Sequence, residues 1–493
     1  MKILFVLRAA GYFPYHQTTV DHLIARRHDV TLLLENRPGR PDDRGFEEWM
    51  AQRGAQVKVG DAVKRVGHWR PVLFAAREAR SYASYCRRGP EVAFYRDRWR
   101  RYMPRWLDRL VEHNRLAEAL FHVPLTQTLL TAVERVTPAS RSIVAALGRD
   151  RPDCVVASPI NMLLDEEVEY VKAARAMGIP SVVPVMSWDN LTTKGLFHVR
   201  PDIVLAWHHG HYEEAQHIHG VGAHQIVVTG SPFFDKWFGA ERRISSRTAT
   251  CRRVGLNPGT PYLLYLGSSA NIARDESWLV LAVVRALRDA ADPALRRLQV
   301  VFKPHPGGSP RNVRALPRLD EAGILVWPRE RGRPDTAGAV GQFRDVLHHS
   351  AAVVGINTTG MVDAILCDRP CLALAVTRYR STQIDTMHFR RMQESNALLV
   401  ARSVRRAVQI LSQTLTGDDS TADARQRFAA TYARPRGVGA QAGEAAAMAI
   451  ELACQRLSAA AITAAIDREL GKRPPPGPPL VEPEPDEAVA VAP

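Results

Sequence analysis

The sequence predicts an α/β protein built from two doubly wound domains, and three observations point there. Strand-length apolar runs alternate with helix-length amphipathic stretches. The alternation breaks off, resumes, and then starts afresh in the second half of the 493 residues. The strand-like runs are apolar throughout, the pattern of parallel strands covered on both faces by helices.

The first domain opens with "KILFVL", a loop "RAAGYFPYHQ", a helix "TTVDHLIARR" and a second strand "DVTLLL". After a helical insertion at about residues 61–145 it resumes with "PDCVVAS", then a helix "DEEVEYVKAARAMG" stopped by Gly178 and Pro180. The strands "PSVVPVMS", "PDIVLAW" and "HQIVVTG" complete it. From Pro261 the same order returns in "YLLYLG", "ESWLVLAVVRALRDA", "LQVVFK", "GILVWP", "AAVVGIN", "TGMVDAILCD" and "PCLALAV". The expected division is 1–242 for the first domain, 243–418 for the second, 419–471 for closing helices, and 472–493 for a Pro-rich, acidic tail too poor in apolar residues to fold.

Composition narrows the function classes. With 46% hydrophobic and 24% charged residues the chain can bury a core in each domain. No window has the length and apolarity of a membrane span, and the opening apolar run is too short for a secretory leader. Six scattered cysteines show neither zinc-site nor disulfide spacing, so they are expected as reduced thiols of a cytoplasmic protein. The net charge is +15, and only eight of the 66 basic residues are lysine. Thirteen basic residues stand against four acidic ones from Lys64 to Arg109, a field that favours anionic partners.

Two turns carry the strongest chemical signal. "QVVFKPHPGG", Gln299 to Gly308, is a strand that ends in Lys303 and in His305 held between two prolines, followed by two glycines. A cation, an imidazole and approachable backbone amides at a strand end form an anion site. "AAVVGINTTGMVDAILCD" ends a strand at Asn357 and starts a helix through Thr358, Thr359 and Gly360, with Asp363 one turn on. Helix-start amides bind phosphate, and a carboxylate there can accept sugar or ribose hydroxyls. Gly267 and Ser268 add a small-residue turn after "YLLYL".

Val301–Gly308 and Gly355–Leu372 resemble the nucleotide-binding half of the GT-B glycosyltransferase superfamily, particularly bacterial capsule and envelope polysaccharide glycosyltransferases and glycerophosphotransferases. "LIARRHDVTLLL" and "VVTGSPFFDKW" are similar to the first helix and strand and to the interdomain passage of such enzymes. The resemblance implies a GT-B-like fold, two Rossmann-like domains facing across a cleft, with Gly267, Ser268, Lys303, His305, Asn357, Thr358, Thr359, Gly360 and Asp363 on the donor. Asp363 departs from the Glu common in these families. It further implies metal-independent transfer with no cofactor, the nucleotide sugar (UDP-, GDP- or CDP-linked) being substrate.

The first domain is then expected to hold the acceptor. His16, at the end of the first loop, is one choice of general base, and Asp189 in "VVPVMSWDNLTTKG" is the other. Trp188 and Asn190 beside it are expected to bind the acceptor sugar. The histidines of "HHGHYEEAQHIH" face different sides of a helix, so no metal is expected.

In the insertion, Tyr95, Trp99, Tyr102, Met103, Trp106 and Leu110 fall on one helical face with arginines around them, and Pro104 starts a second helix. Residues 94–110 are expected either on an anionic membrane surface or as a lid packed on the first domain. The reading that results is a cytoplasmic glycosyltransferase, peripheral on the inner face of the membrane, acting on an envelope polysaccharide or lipid-linked acceptor. A CDP-glycerol-type glycerophosphotransferase and a nucleotide-sugar 2-epimerase are the enzyme alternatives. A nucleotide-, glycan- or RNA-binding protein using Trp99 and Trp106 is the alternative without catalysis.

Overall fold

Strand order in the computed structural model follows the alternation seen in the sequence. Residues 1–36, 43–163, 166–238, 243–329, 334–471, 473 and 480–482 are described. The strands of the first unit are β1 (Lys2–Ala9), β2 (Asp29–Asn36), β3 (Val57–Asp61), β4 (Cys154–Ser158), β5 (Ser181–Pro184), β6 (Ile203–Ala206) and β7 (Ile226–Val228). They pair in parallel in the order β3-β2-β1-β4-β5-β6-β7. A second unit contains β8 (Arg243–Ile244), β9 (Tyr262–Leu266), β10 (Gln299–Lys303), β11 (Leu325–Val326), β12 (Ala352–Gly355), β13 (Cys371–Leu374), β14 (Leu399–Ala401) and β15 (Leu480–Val481). Six of these form a parallel sheet in the order β11-β10-β9-β12-β13-β14. Both sheets reverse strand order next to their first strand, as in doubly wound domains.

The first unit spans residues 1–235 and 430–475, and the second takes 236–429 and the chain end. The division therefore falls at Asp235 rather than 242, and the closing segment is shared. The helix Ala422–Phe428 stays with the second unit, whereas Ala442–Cys454 and Ala459–Leu470 cover the first sheet. There Ala446, Ile450 and Ile462 pack in one core with Phe5, Leu7, Val156 and Leu205. Most of the expected disordered tail lies outside the described residues, but Leu480 and Val481 pair in parallel with Arg243 and Ile244.

Asp235 fixes the returning chain. Its carboxylate accepts from the first-turn amides of Ala442 (2.9 Å) and Gly443 (2.7 Å), from Thr18 Oγ1 (3.0 Å) and from Arg434 Nη2 (2.8 Å). A negative charge at a helix start satisfies amides that the helix itself leaves unpaired. Gly443 cannot carry a side chain, because a Cβ there would run into Thr18.

The insertion is a helical layer with its own core. Tyr82, Tyr85, Tyr95, Trp99 and Met103 are buried together, and Trp99 Nε1 donates to Glu78 Oε2 at 3.0 Å. Buried ion pairs of Arg65 and Arg77 with Glu169, and of Lys172 with Glu134, tie it to the rest of the first unit. The expectation that residues 94–110 share one helical face, on a membrane or as a packed lid, is corrected: the series divides. The chain turns at Pro104 between the helices Ala93–Arg100 and Arg105–His113, so Tyr95, Trp99 and Met103 point inward while Trp106 and Leu110 stay in solvent.

Candidate functional site

In the second unit, three turns leave the carboxyl edge of the sheet side by side. Leu266, the last residue of β9, is in register with Lys303 on one side and with Gly355 on the other. The Lys303–Gly308 turn and the Asn357–Gly360 turn therefore flank the Gly267–Ser268 turn at the point where strand order reverses, the usual crevice of a parallel sheet. Gly267 is required there, since its amide donates to Lys303 O at 2.9 Å and a Cβ would lie 3.1 Å from both Lys303 O and His305 N.

Lys303 is 8% exposed, and its ammonium has no hydrogen-bond acceptor among the described residues. It lies 4.7 Å from the Phe343 ring centroid. Burial pushes its pKa down to about 8; the Asp363 carboxylate opposes that shift and neighbouring Lys236 adds to it. Asp363 is itself buried, and its Oδ1 accepts from Trp237 Nε1 at 2.7 Å. Its carboxyl is pushed up by burial and pulled back by Lys236, the indole hydrogen bond and Lys303. Lys236 lies over the Trp237 ring at 5.2 Å, and burial lowers its pKa also. Asp363, expected toward sugar hydroxyls, is buried with Oδ1 taken by Trp237, and its charge raises the pKa of both lysines.

The His305 ring accepts the Gly307 amide on Nδ1 at 2.9 Å, which leaves Nε2 as the donor of the neutral ring. Thr358, Thr359 and Gly360 start the helix Thr359–Leu366, and the Thr358 side chain does not cap it. Its first amides are therefore not satisfied by that hydroxyl. Gly360 keeps the helix start close to the sheet, where a Cβ would be 3.0 Å from Leu266 Cδ1.

Two expected donor ligands are structural instead. Asn357 is buried and donates Nδ2 to Thr382 O at 2.7 Å, bracing the next turn. Ser268 is fully buried, and its amide donates to Glu276 Oε1 at 2.6 Å. Glu276, 1% exposed, also meets Asn312 Nδ2 at 3.3 Å, and burial pushes its pKa up to about 8, so the carboxyl is protonated at neutral pH. Sequence reasoning missed both Lys236 and Glu276. The only hint of Lys236 was a lysine in an arginine-dominated chain, and Glu276 reads as an ordinary helix start.

The carboxyl edge of the first sheet carries the expected acceptor residues. His16 follows the turn Ala10–Tyr15 and precedes the helix Gln17–Ala25. It is 2% exposed, Nε2 has no hydrogen-bond partner among the described residues, and burial pushes its pKa down to about 4. It is a neutral imidazole whose Nε2 is buried and unpartnered among the described residues. Asp189 is held differently: Oδ1 accepts from Ser187 Oγ at 2.8 Å, and Oδ2 from Thr193 Oγ1 at 2.7 Å and Lys194 Nζ at 3.3 Å. Those bonds make Asp189 a loop anchor. Trp188 and Asn190 are corrected as well. Trp188 is buried, with its carbonyl taking a bond from His211 Nε2; Asn190 Nδ2 donates to Asn161 Oδ1 at 2.8 Å, and the Asn190 backbone carbonyl accepts from Asn161 Nδ2 at 2.9 Å. Neither presents a free polar face to a sugar. His219 is a core residue that accepts from Phe197 N and bonds Leu191 O, and among the described residues no cluster of His, Cys, Asp or Glu could hold a metal ion.

No family model matches the sequence, and no curated protein matches it. Solved structures do. A putative UDP-N-acetylglucosamine 2-epimerase from Listeria monocytogenes is similar at 11% identity and a TM-score of 0.53, over 92% of this chain and 97% of that one. The MnaA structure of S. aureus with UDP gives 11% identity and a TM-score of 0.52 over the same shares. The fold is GT-B-like. A glycosyltransferase from Rickettsia africae is also similar, at 7% identity, a TM-score of 0.46, and 96% and 99% coverage. The GT-B-like architecture explains why both units bring their strand-end turns to a carboxyl edge, where ligands of parallel sheets bind.

Proposed function

We propose that this protein is a nucleotide-sugar enzyme, a glycosyltransferase that moves a sugar from a nucleoside-diphosphate donor to a hydroxyl of an envelope polysaccharide or lipid-linked glycan. The observation that carries the reading is Lys303: a buried ammonium with no acceptor, flanked by a glycine-opened turn and a helix start at the reversal point of the second sheet. A diphosphate supplies the missing acceptors. Lys303, with Lys236 behind it, His305 Nε2 and the amides of Thr359 and Gly360 would then offset the charge that builds on the departing nucleoside diphosphate. His16, neutral and unpartnered at Nε2, is assigned the acceptor's hydroxyl proton.

A second reading is favoured by the Listeria and S. aureus structures. Proteins of this fold bear the name UDP-N-acetylglucosamine 2-epimerase, and the S. aureus structure contains UDP, so epimerisation of a UDP-sugar is the alternative chemistry on the same diphosphate site. Calorimetric titration with UDP, GDP and CDP tests the shared step. The reading fails if none binds, or if Lys303→Met binds as tightly as the parent protein. Product analysis separates the chemistries: release of nucleoside diphosphate that depends on acceptor supports transfer, and an altered nucleotide sugar without release supports epimerisation.

A further inference from the structure

Three consecutive insertion helices each expose an apolar pair one turn apart: Trp106 and Leu110 on Arg105–His113, Leu116 and Leu120 on Arg115–His122, and Leu125 and Leu129 on Pro124–Val136. Trp106 is 64% exposed and Leu116 79%. These side chains are not the inner stripe, because Leu107, Val111, Phe121 and Leu130 from the same helices pack toward Tyr82 and Trp99. Each helix therefore sends apolar side chains into the core and leaves an apolar pair uncovered. Clustered exposed large apolar residues of this kind mark an interaction surface.

The charge around the outer stripe says what covers it. Arg101, Arg105, Arg109 and Arg115 are exposed and have no ion pair or hydrogen bond among the described residues. The acids of the same helices are engaged or turned inward: Asp108 and Glu112 pair with Arg100, Glu134 is buried under Arg77 and Lys172, and Glu118 is half-buried near Tyr82 and Cys86. No single described helix is long and apolar enough to cross a membrane; Arg115–His122 and Pro124–Val136 reach that length and apolarity only together, across a 76° bend. A surface of leucines and one tryptophan ringed by unpaired arginines matches the interface of an anionic bilayer, where apolar side chains enter the acyl boundary and guanidinium groups meet phosphates. A second copy of the chain fits poorly, since a two-fold contact would set the same arginines against each other. RNA fits poorly because Trp99 is buried and leucines offer no stacking platform.

We propose that the outer face of residues 105–136 docks the protein on an anionic lipid bilayer. The test is sedimentation of the full-length protein with vesicles of equal parts phosphatidylcholine and phosphatidylglycerol, and with phosphatidylcholine alone. Binding should be at least about tenfold stronger on the anionic vesicles and weaken with salt. Arg105→Glu with Arg109→Glu, and separately Leu116→Ser with Leu120→Ser, should each lower it by about tenfold or more. All four positions are exposed, so far-ultraviolet dichroism and melting should be unchanged, and the comparison of the two vesicles stands on the parent protein alone. Equal retention on both vesicles, or none on either, overturns the proposal. So does a concentration-dependent dimer that Leu120→Asp abolishes, or salt-sensitive RNA retention without vesicle binding.

Discussion

Trp237 donates its indole N–H to Asp363 at 2.7 Å, and this bond holds a carboxylate whose charge raises the pKa of both Lys303 and Lys236. The lysine pair is thereby kept near its charged form inside a buried pocket of like charges. Diphosphate affinity should accordingly depend on Lys303 ionisation. With a pKa of about 8 in the free protein, affinity should hold steady at lower pH and fall about tenfold per unit above about pH 8. Asp363→Asn retains an acceptor for Trp237 but removes the charge that raises Lys303, so the break should move to lower pH. Calorimetric titration of both proteins across that range checks it, and an unmoved break counts against the counter-ion role.

Glu276 supplies a test of stability against pH. Its folded pKa of about 8 lies above the unfolded value of about 4.3, so between these limits the native state binds more protons. Stability must fall through this group as pH rises across that window. Glu276→Gln keeps an oxygen for Ser268 N and Asn312 Nδ2 and cannot ionise. Relative to the parent it should gain about 3 kcal/mol between about pH 4 and pH 7. Urea unfolding at both ends measures the difference, and parallel pH curves would show that the carboxyl is not protonated in the fold.

Asp235→Ala removes five hydrogen bonds at once, two of them from Arg434, which stays buried without its counter-charge. Breaking one side of a buried ion pair costs about 3–5 kcal/mol. The urea midpoint should drop accordingly, while Asp235→Asn, which retains one acceptor oxygen, should lose less. A cost within about 0.5 kcal/mol for Asp235→Ala would mean that the helix Ala442–Cys454 is held by apolar packing alone.

The sheets were legible because short continuous apolar runs bounded by turn residues and alternating with amphipathic helices suit a covered parallel sheet, and the two anion turns were legible because Lys303 and Thr358 break those runs with chemistry that a core does not use. What the sequence hides is side-chain direction. Asp363 and Asn357 are polar residues at strand ends or helix starts, as ligands are, yet Trp237 and Thr382, distant in sequence, turn them inward. The 94–110 aromatic series fails for a related reason. Its periodicity continues through Pro104, but the chain bends there, and one stripe divides into a buried half and an exposed half. Asp189 looked like a free strand-end carboxylate because its three donors, Ser187, Thr193 and Lys194, read individually as loop polarity.

His16 and Asp189 were equivalent bases in the sequence, and the structure makes their variants distinguishable. His16 is neutral down to about pH 4 with Nε2 buried and unpartnered, so replacing it removes a proton acceptor without breaking a hydrogen bond of that nitrogen. His16→Gln should lower kcat by about 10²- to 10⁴-fold, leaving nucleotide affinity and the urea midpoint nearly unchanged. Asp189→Asn should do the reverse, loosening the Ser187–Lys194 loop and lowering stability by about 1–3 kcal/mol, with kcat changed by less than about tenfold. The pH profile adds a second reading. Burial should keep the acid limb of the parent kcat near about pH 4, well below an ordinary histidine near about 6.5. An acid limb at the ordinary histidine value, or full activity in His16→Gln, would remove His16 from the chemistry.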